Sequence, residues 1–127
     1  DNGPARNALL RSPRGVAVGA DGAIYVADWG NGRIRKITAT AITTVAGNGS
    51  TRYSGDGVAT ASAVDGRGVA VAADGTIYIA DEAFHRVRRL DATGRITSLV
   101  GSEAAFAGDG GPLTNARLRG PVSVTVV

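Results

Sequence analysis

The residues with the most chemical potential in this chain sit in two short loops at matching positions. Asp28-Trp29-Gly30-Asn31-Gly32 and Asp81-Glu82-Ala83-Phe84-His85 open on the same aspartate, and each is followed at once by an arginine, Arg33 or Arg86. Together they hold the only tryptophan, the only histidine and one of the two phenylalanines. Tyr53 and Phe106 stand in two further segments that also match each other. Aromatic side chains with a few polar groups, carried on loops, are the usual material of a binding surface. The candidate ligand-binding residues are therefore Trp29, Asn31, Tyr53, Glu82, Phe84, His85 and Phe106. Tyr53 and Phe106 recur, so packing of a link onto a sheet is the simpler role for those two. Trp29, Glu82, Phe84 and His85 are not repeated, which makes them the better functional candidates.

Catalytic chemistry finds less support. Zinc takes three or four protein ligands, and one histidine without any cysteine does not supply them, so no metal site and no cofactor are expected. Asp56-Gly57 and Asp109-Gly110 lack the alternating oxygen ligands of a compact calcium loop and read as tight turns. No nucleophile elbow, phosphate loop or pair of catalytic carboxylates is present, and Glu82 and Glu103, the only glutamates, both fall in loops. Asp28 with Arg33, and Asp81 with Arg86, flank a turn five residues apart. Each is expected to close its loop as a structural ion pair. The balance favours recognition over an enzyme.

These loops are positioned by a repeat. Gly15-Val16-Ala17-Val18 returns 53 residues later as Gly68-Val69-Ala70-Val71. Asp21 to Asp28 returns as Asp74 to Asp81, and Arg33-Ile34-Arg35-Lys36-Ile37 as Arg86-Val87-Arg88-Arg89-Leu90. Ser54-Gly55-Asp56-Gly57 returns as Ala107-Gly108-Asp109-Gly110. A fixed period of this size signals stacked supersecondary units. Within one period the hydrophobicity alternates with step two, and Asp21-Gly22 and Asp74-Gly75 mark tight turns. Four short antiparallel strands per repeat follow: 15–18, 24–27, 33–37 and 42–46, then 68–71, 77–80, 86–90 and 96–100. Ile34 and Val87 should point inward and the arginines largely outward.

Four-stranded units in tandem, joined by longer links, describe an all-β chain of β-propeller blades. The first blade covers about 15–46, a linker 47–67 and the second blade about 68–100. A linker and an extra inner strand at Pro121 to Val126 fill 101–127. A propeller closes with about four to eight blades, so this chain is an incomplete propeller. Its expected partners are the remaining blades of a longer propeller, of which it would be a piece, or copies of itself. The strand count favours the first, and the absence of methionine agrees with a processed, excised or designed piece.

The motif stretches Pro13 to Val18, Ala27-Asp28, Asn31 to Ile37 and Thr43 to Gly47, with their second copies Gly68 to Asp81, His85 to Leu90 and Thr97 to Gly101, resemble the NHL-repeat family of β-propellers. The Ser-Gly-Asp-Gly link resembles its long-period bacterial branch. The second copy departs from the pattern at Glu82-Ala83-Phe84-His85. The resemblance implies a scaffold for recognising protein, RNA or carbohydrate, often extracellular or periplasmic. It also implies an alternative from another class, part of a metal-dependent propeller lyase or lactonase.

Composition narrows the partners. The net charge of +3 comes from thirteen arginines and one lysine against eleven acids, spread over both repeats. That is too mild an excess to indicate a nucleic-acid partner. No apolar run reaches the ~20 residues of a membrane-spanning helix. What remains is a non-enzymatic recognition or assembly module, binding a protein or carbohydrate ligand through its loop face.

Overall fold

A computed structural model describes residues 1–102 and 107–127. The alternating segments form two antiparallel sheets. In the first, β1 (Gly15–Val18), β2 (Ile24–Asp28), β3 (Arg33–Ile37) and β4 (Ile42–Ala46) pair in chain order. After β5 (Gly57–Val58) in the link, the second sheet contains β6 (Gly66–Val71), β7 (Ile77–Asp81), β8 (Arg86–Leu90) and β9 (Arg95–Val100). Its order is β5-β9-β8-β7-β6, so the link contributes a fifth strand to the outer edge of the blade that follows it. The first blade shows the same feature in reduced form, as a single bridge between Gly3 and Ile42. The sequence pattern indicates four strands per repeat, and this short fifth strand has no hydrophobic alternation to announce it.

The turns follow from side chains that bond their own backbone. Asp21, Asp74 and Asp91 accept the amides of Ala23, Thr76 and Thr93 at 3.1, 2.9 and 2.9 Å, fixing each strand connection. All three carboxyls are held below the ordinary aspartate range. For Asp21 the largest cause is the Lys36 ammonium at 3.0 Å; for Asp74 it is the Thr76 amide, and for Asp91 the Thr93 hydroxyl.

The core lies between the sheets. Tyr25, Ala27, Ile34 and Ala46 of the first blade meet Val64 of the link and Val69, Ile77, Ile79 and Ile96 of the second blade. The blades approach most closely at their inner strands. A methyl group on Gly15 would lie 2.8 Å from the Arg67 carbonyl, and one on Gly68 would lie 2.8 Å from the Val122 carbonyl. Gly68 thus sees residues 122–123 as Gly15 sees residues 67–68. The segment 121–127 occupies the place of a third inner strand, although it carries no ladder of its own.

The face of the first blade that points away from the second is open. Val16 and Val18 are 68% and 65% exposed, whereas Val69, the copy of Val16, is 6% exposed. Ile24 is 39% exposed and its copy Ile77 only 5%. The same residue types are buried wherever a blade covers them.

Candidate functional site

Each β2–β3 and β7–β8 loop stands on a buried ion pair. Asp28 and Asp81 are fully buried at the ends of β2 and β7. Their register partners across the turn are Arg33 and Arg86, as the spacing suggests. The carboxylates, however, pair one step further along the strand. Arg35 Nη1 donates to Asp28 Oδ2 at 3.0 Å, and Arg88 Nη1 to Asp81 Oδ2 at 3.1 Å. Arg33 and Arg86 instead donate to backbone carbonyls of their own loops, Asn31 at 2.7 Å and Phe84 at 2.8 Å. The expected Asp28–Arg33 and Asp81–Arg86 pairs are therefore replaced by diagonal pairs on the same sheet face.

The expected outward placement fails for Arg35 and Arg88, while Arg89 is exposed. Strand alternation puts Arg33 and Arg35 opposite Ile34, but that opposite face lies under the link rather than in water. Arg88 is completely buried and donates to the carbonyls of Ala63 and Gly55 at 2.8 and 2.7 Å and to Asp56 at 3.3 Å. Arg35, almost as buried, reaches Asp1 at 2.6 Å. Burial pushes the Asp81 carboxyl above its ordinary range, against the opposing pull of the Asp65 amide and of Arg88.

On this base the first loop presents Trp29. Its indole N–H donates to Asp65 Oδ2 at 3.2 Å, and the Arg14 guanidinium lies 5.0 Å from its ring centroid. Arg11, Ser12, Trp29, Gly30, Thr51 and Asp65 line an open cavity of about 320 Å³ at the junction of the two blades. In the second blade the matching place is closed by an ion pair between Arg67, the copy of Arg14, and Glu82, the copy of Trp29. The two loops thus use one position in two ways, as an aromatic surface and as an ion pair.

The remaining candidates are placed differently. Asn31 Nδ2 donates to Asp28 Oδ2 at 2.8 Å and so serves the loop base. Phe84 is 7% exposed and packs against Tyr53, so it offers no ligand surface. Tyr53 is 37% exposed and holds the link onto the blade. His85 Nδ1 accepts the Gly120 amide at 3.0 Å, an imidazole engaged in tying the C-terminal segment to the loop. It does so from a left-handed backbone, φ 55°, at the position Gly32 occupies with φ 59°. Phe106 lies outside the described residues. Among the described residues no three of His, Cys, Asp and Glu converge as metal ligands. Asp65 and Arg11 line the cavity beside Trp29, and sequence reasoning missed them. The available signal was that Asp65 is an unrepeated acid, with Ser12 in its register position.

Two tandem antiparallel sheets, stacked through small inner strands and laced by links, are β-propeller blades. Residues 10–37, spanning β1 to β3 of the first blade, match the family model described as NHL repeat. The chain is similar in fold to a structural genomics protein of unknown function from Bacteroides thetaiotaomicron VPI-5482, with a TM-score of 0.71 and 22% identity over 84% of this chain. It is similar also to an auxiliary nutrient binding protein from the same strain, with a TM-score of 0.71 and 19% identity over 87% of this chain. A further auxiliary nutrient binding protein, from Bacteroides ovatus ATCC 8483, gives a TM-score of 0.63 at 19% identity over 87% of this chain. The chain spans 28%, 31% and 30% of those three proteins. No curated protein matches it.

Proposed function

We propose that this chain is a non-enzymatic recognition module that binds a carbohydrate or protein ligand at the junction of its two blades. The observation that carries the reading is the cavity beside Trp29. An indole edge there stands among Asp65, Arg11, Ser12 and Thr51, which are hydrogen-bonding groups of both polarities around one aromatic anchor. Such a set suits a ligand with hydroxyl or amide groups on an apolar frame. The fold neighbours named as nutrient binding proteins support a binding role.

Trp29 is the only tryptophan, so selectively excited tryptophan fluorescence reports on this cavity. Titration with a panel of neutral oligosaccharides and unstructured peptides should give a saturable fluorescence change with a member of the panel. Trp29→Ala, followed by calorimetry, should weaken that ligand at least tenfold, about 1.4 kcal/mol. Unchanged affinity in Trp29→Ala would sink the assignment.

The same reading includes completion of the ring. Val16, Val18 and Ile24 expose the face that their copies bury, so further blades or another copy of this chain should cover it. Light scattering on the isolated chain separates the routes. Association that Val16→Asp abolishes indicates self-closure, and a monodisperse monomer leaves further blades as the covering partner.

A further inference from the structure

The link before the second blade seats Tyr53 in a niche on that blade. The Tyr53 ring lies 5.3 Å from the Phe84 ring at a tilt of 59°. The guanidinium of Arg86 is 3.9 Å from its centroid and that of Arg88 is 5.3 Å away. Its hydroxyl is 3.3 Å from Ser98 Oγ, which in turn donates to Asp56 at 2.9 Å.

The first blade builds the same niche and leaves it open. Asn31, Arg33, Arg35 and Thr44 are the register copies of Phe84, Arg86, Arg88 and Ser98, and Asp1 stands to Arg35 as Asp56 stands to Arg88. These five residues line a cavity of about 260 Å³. Its polar groups are less well served than their copies. The Thr44 hydroxyl is buried without a partner, whereas that of Ser98 meets both Tyr53 and Asp56. Asp1 bonds to Arg35, whereas Asp56 is also held by the amide of Ser98 at 2.8 Å.

We propose that this cavity is a receptor for a tyrosyl side chain presented by a link of the Tyr-Ser-Gly type seen at Tyr53-Ser54-Gly55. Two planar cations flanking one slot favour the face of an aromatic ring. Thr44 stands at the register position from which Ser98 meets the phenolic hydroxyl of Tyr53. The aromatic is a regular property of the links, since Phe106 stands three residues before Asp109 as Tyr53 stands three before Asp56. A free anion fits less well. Arg35 already carries the carboxylates of Asp28 and Asp1, and Arg33 donates to the carbonyls of Asn31 and Asn48.

The test is a titration of the full chain with the hexapeptide Ser-Thr-Arg-Tyr-Ser-Gly, copied from residues 50–55, and with its Tyr→Phe and Tyr→Ala forms. Amide shifts in a ¹⁵N–¹H spectrum give site and affinity. The tyrosine form should move Arg33 and Thr44 and bind roughly tenfold more tightly than the alanine form. Thr44→Val should bring the tyrosine form down to the level of the phenylalanine form and leave the latter unchanged. Equal binding of the tyrosine and alanine forms, shifts centred on Trp29, or displacement by inorganic phosphate overturns the proposal. If Thr44→Val does not fold, the peptide series on the unaltered chain decides.

Discussion

Arg88→Met should be the most damaging single substitution of a charged residue in the second blade. The side chains of Arg88 and Asp81 are both 0% exposed, and the guanidinium makes four contacts: Asp81, Asp56 and the carbonyls of Ala63 and Gly55. Methionine fills much of the same volume but strands the carboxylate without its countercharge. Breaking a buried pair from one side costs about 3–5 kcal/mol, which for a chain of this length lowers Tm by roughly 10–20 °C. The loss should depend on pH, with a sign fixed by Asp81. Its folded pKa lies above the unfolded one, so between the two the folded state binds more protons and stability falls as pH rises. Removing Arg88 widens that window upward. The deficit of Arg88→Met against the parent, read from urea midpoints, should therefore be largest near neutrality and shrink as pH falls towards 4. Asp81→Asn added to Arg88→Met should recover roughly 1–3 kcal/mol at neutral pH and flatten the dependence. A pH-independent deficit, or a double variant no better than the single one, refutes the assignment of Asp81 as a stranded charge. Arg35→Met should also destabilise, with a smaller loss, because among the described residues Arg35 bonds Asp28 and Asp1 alone.

The remaining expectation concerns two glycines at positive φ, Gly47 after β4 and Gly75 between β6 and β7. Gly47 has φ 95°, and a methyl group there would be driven into the Gly32 carbonyl. Gly47→Ala should cost more than about 2 kcal/mol, whereas Gly75→Ala, also at positive φ but facing open space, should cost about 1 kcal/mol. Chemical denaturation of both variants checks the ranking, and equal losses would contradict it.

Much of the fold was legible because the period of 53 residues and the step-two alternation act together. Apart from β5, the strands from Gly15 to Val100 lie within two residues of where alternation places them. The fifth strand escaped because two residues cannot show a period, and its partner is the outer edge of a sheet 37 to 39 residues further on, Val58 against Arg95 and Gly57 against Ile96. The candidate site was half legible. Unrepeated residues pointed to Trp29, whose neighbour Asp65 arrives from a link with no motif. Phe84 looked like a ligand surface because a lone aromatic in a loop gives no sign that Tyr53 will cover it. Arg35 and Arg88 looked solvated because charge in a strand ordinarily marks the wet face, and only the path of the link shows that this face is dry.

The pairing of β5 with β9 means that the unit copied along the chain and the unit that folds as a sheet are out of phase. A gene segment cut after Ala46 and repeated would keep each sheet with the strand and the Asp56-type carboxylate that belong to it. A segment cut just before the inner strand, near Arg14 or Arg67, would carry the edge strand of a blade away from that same blade. The join that keeps strand, carboxylate and tyrosine with their own sheet lies inside the link, ahead of Tyr53. Blades lengthened, swapped or tandemly copied at that join should fit their neighbours without redesign of any buried charge.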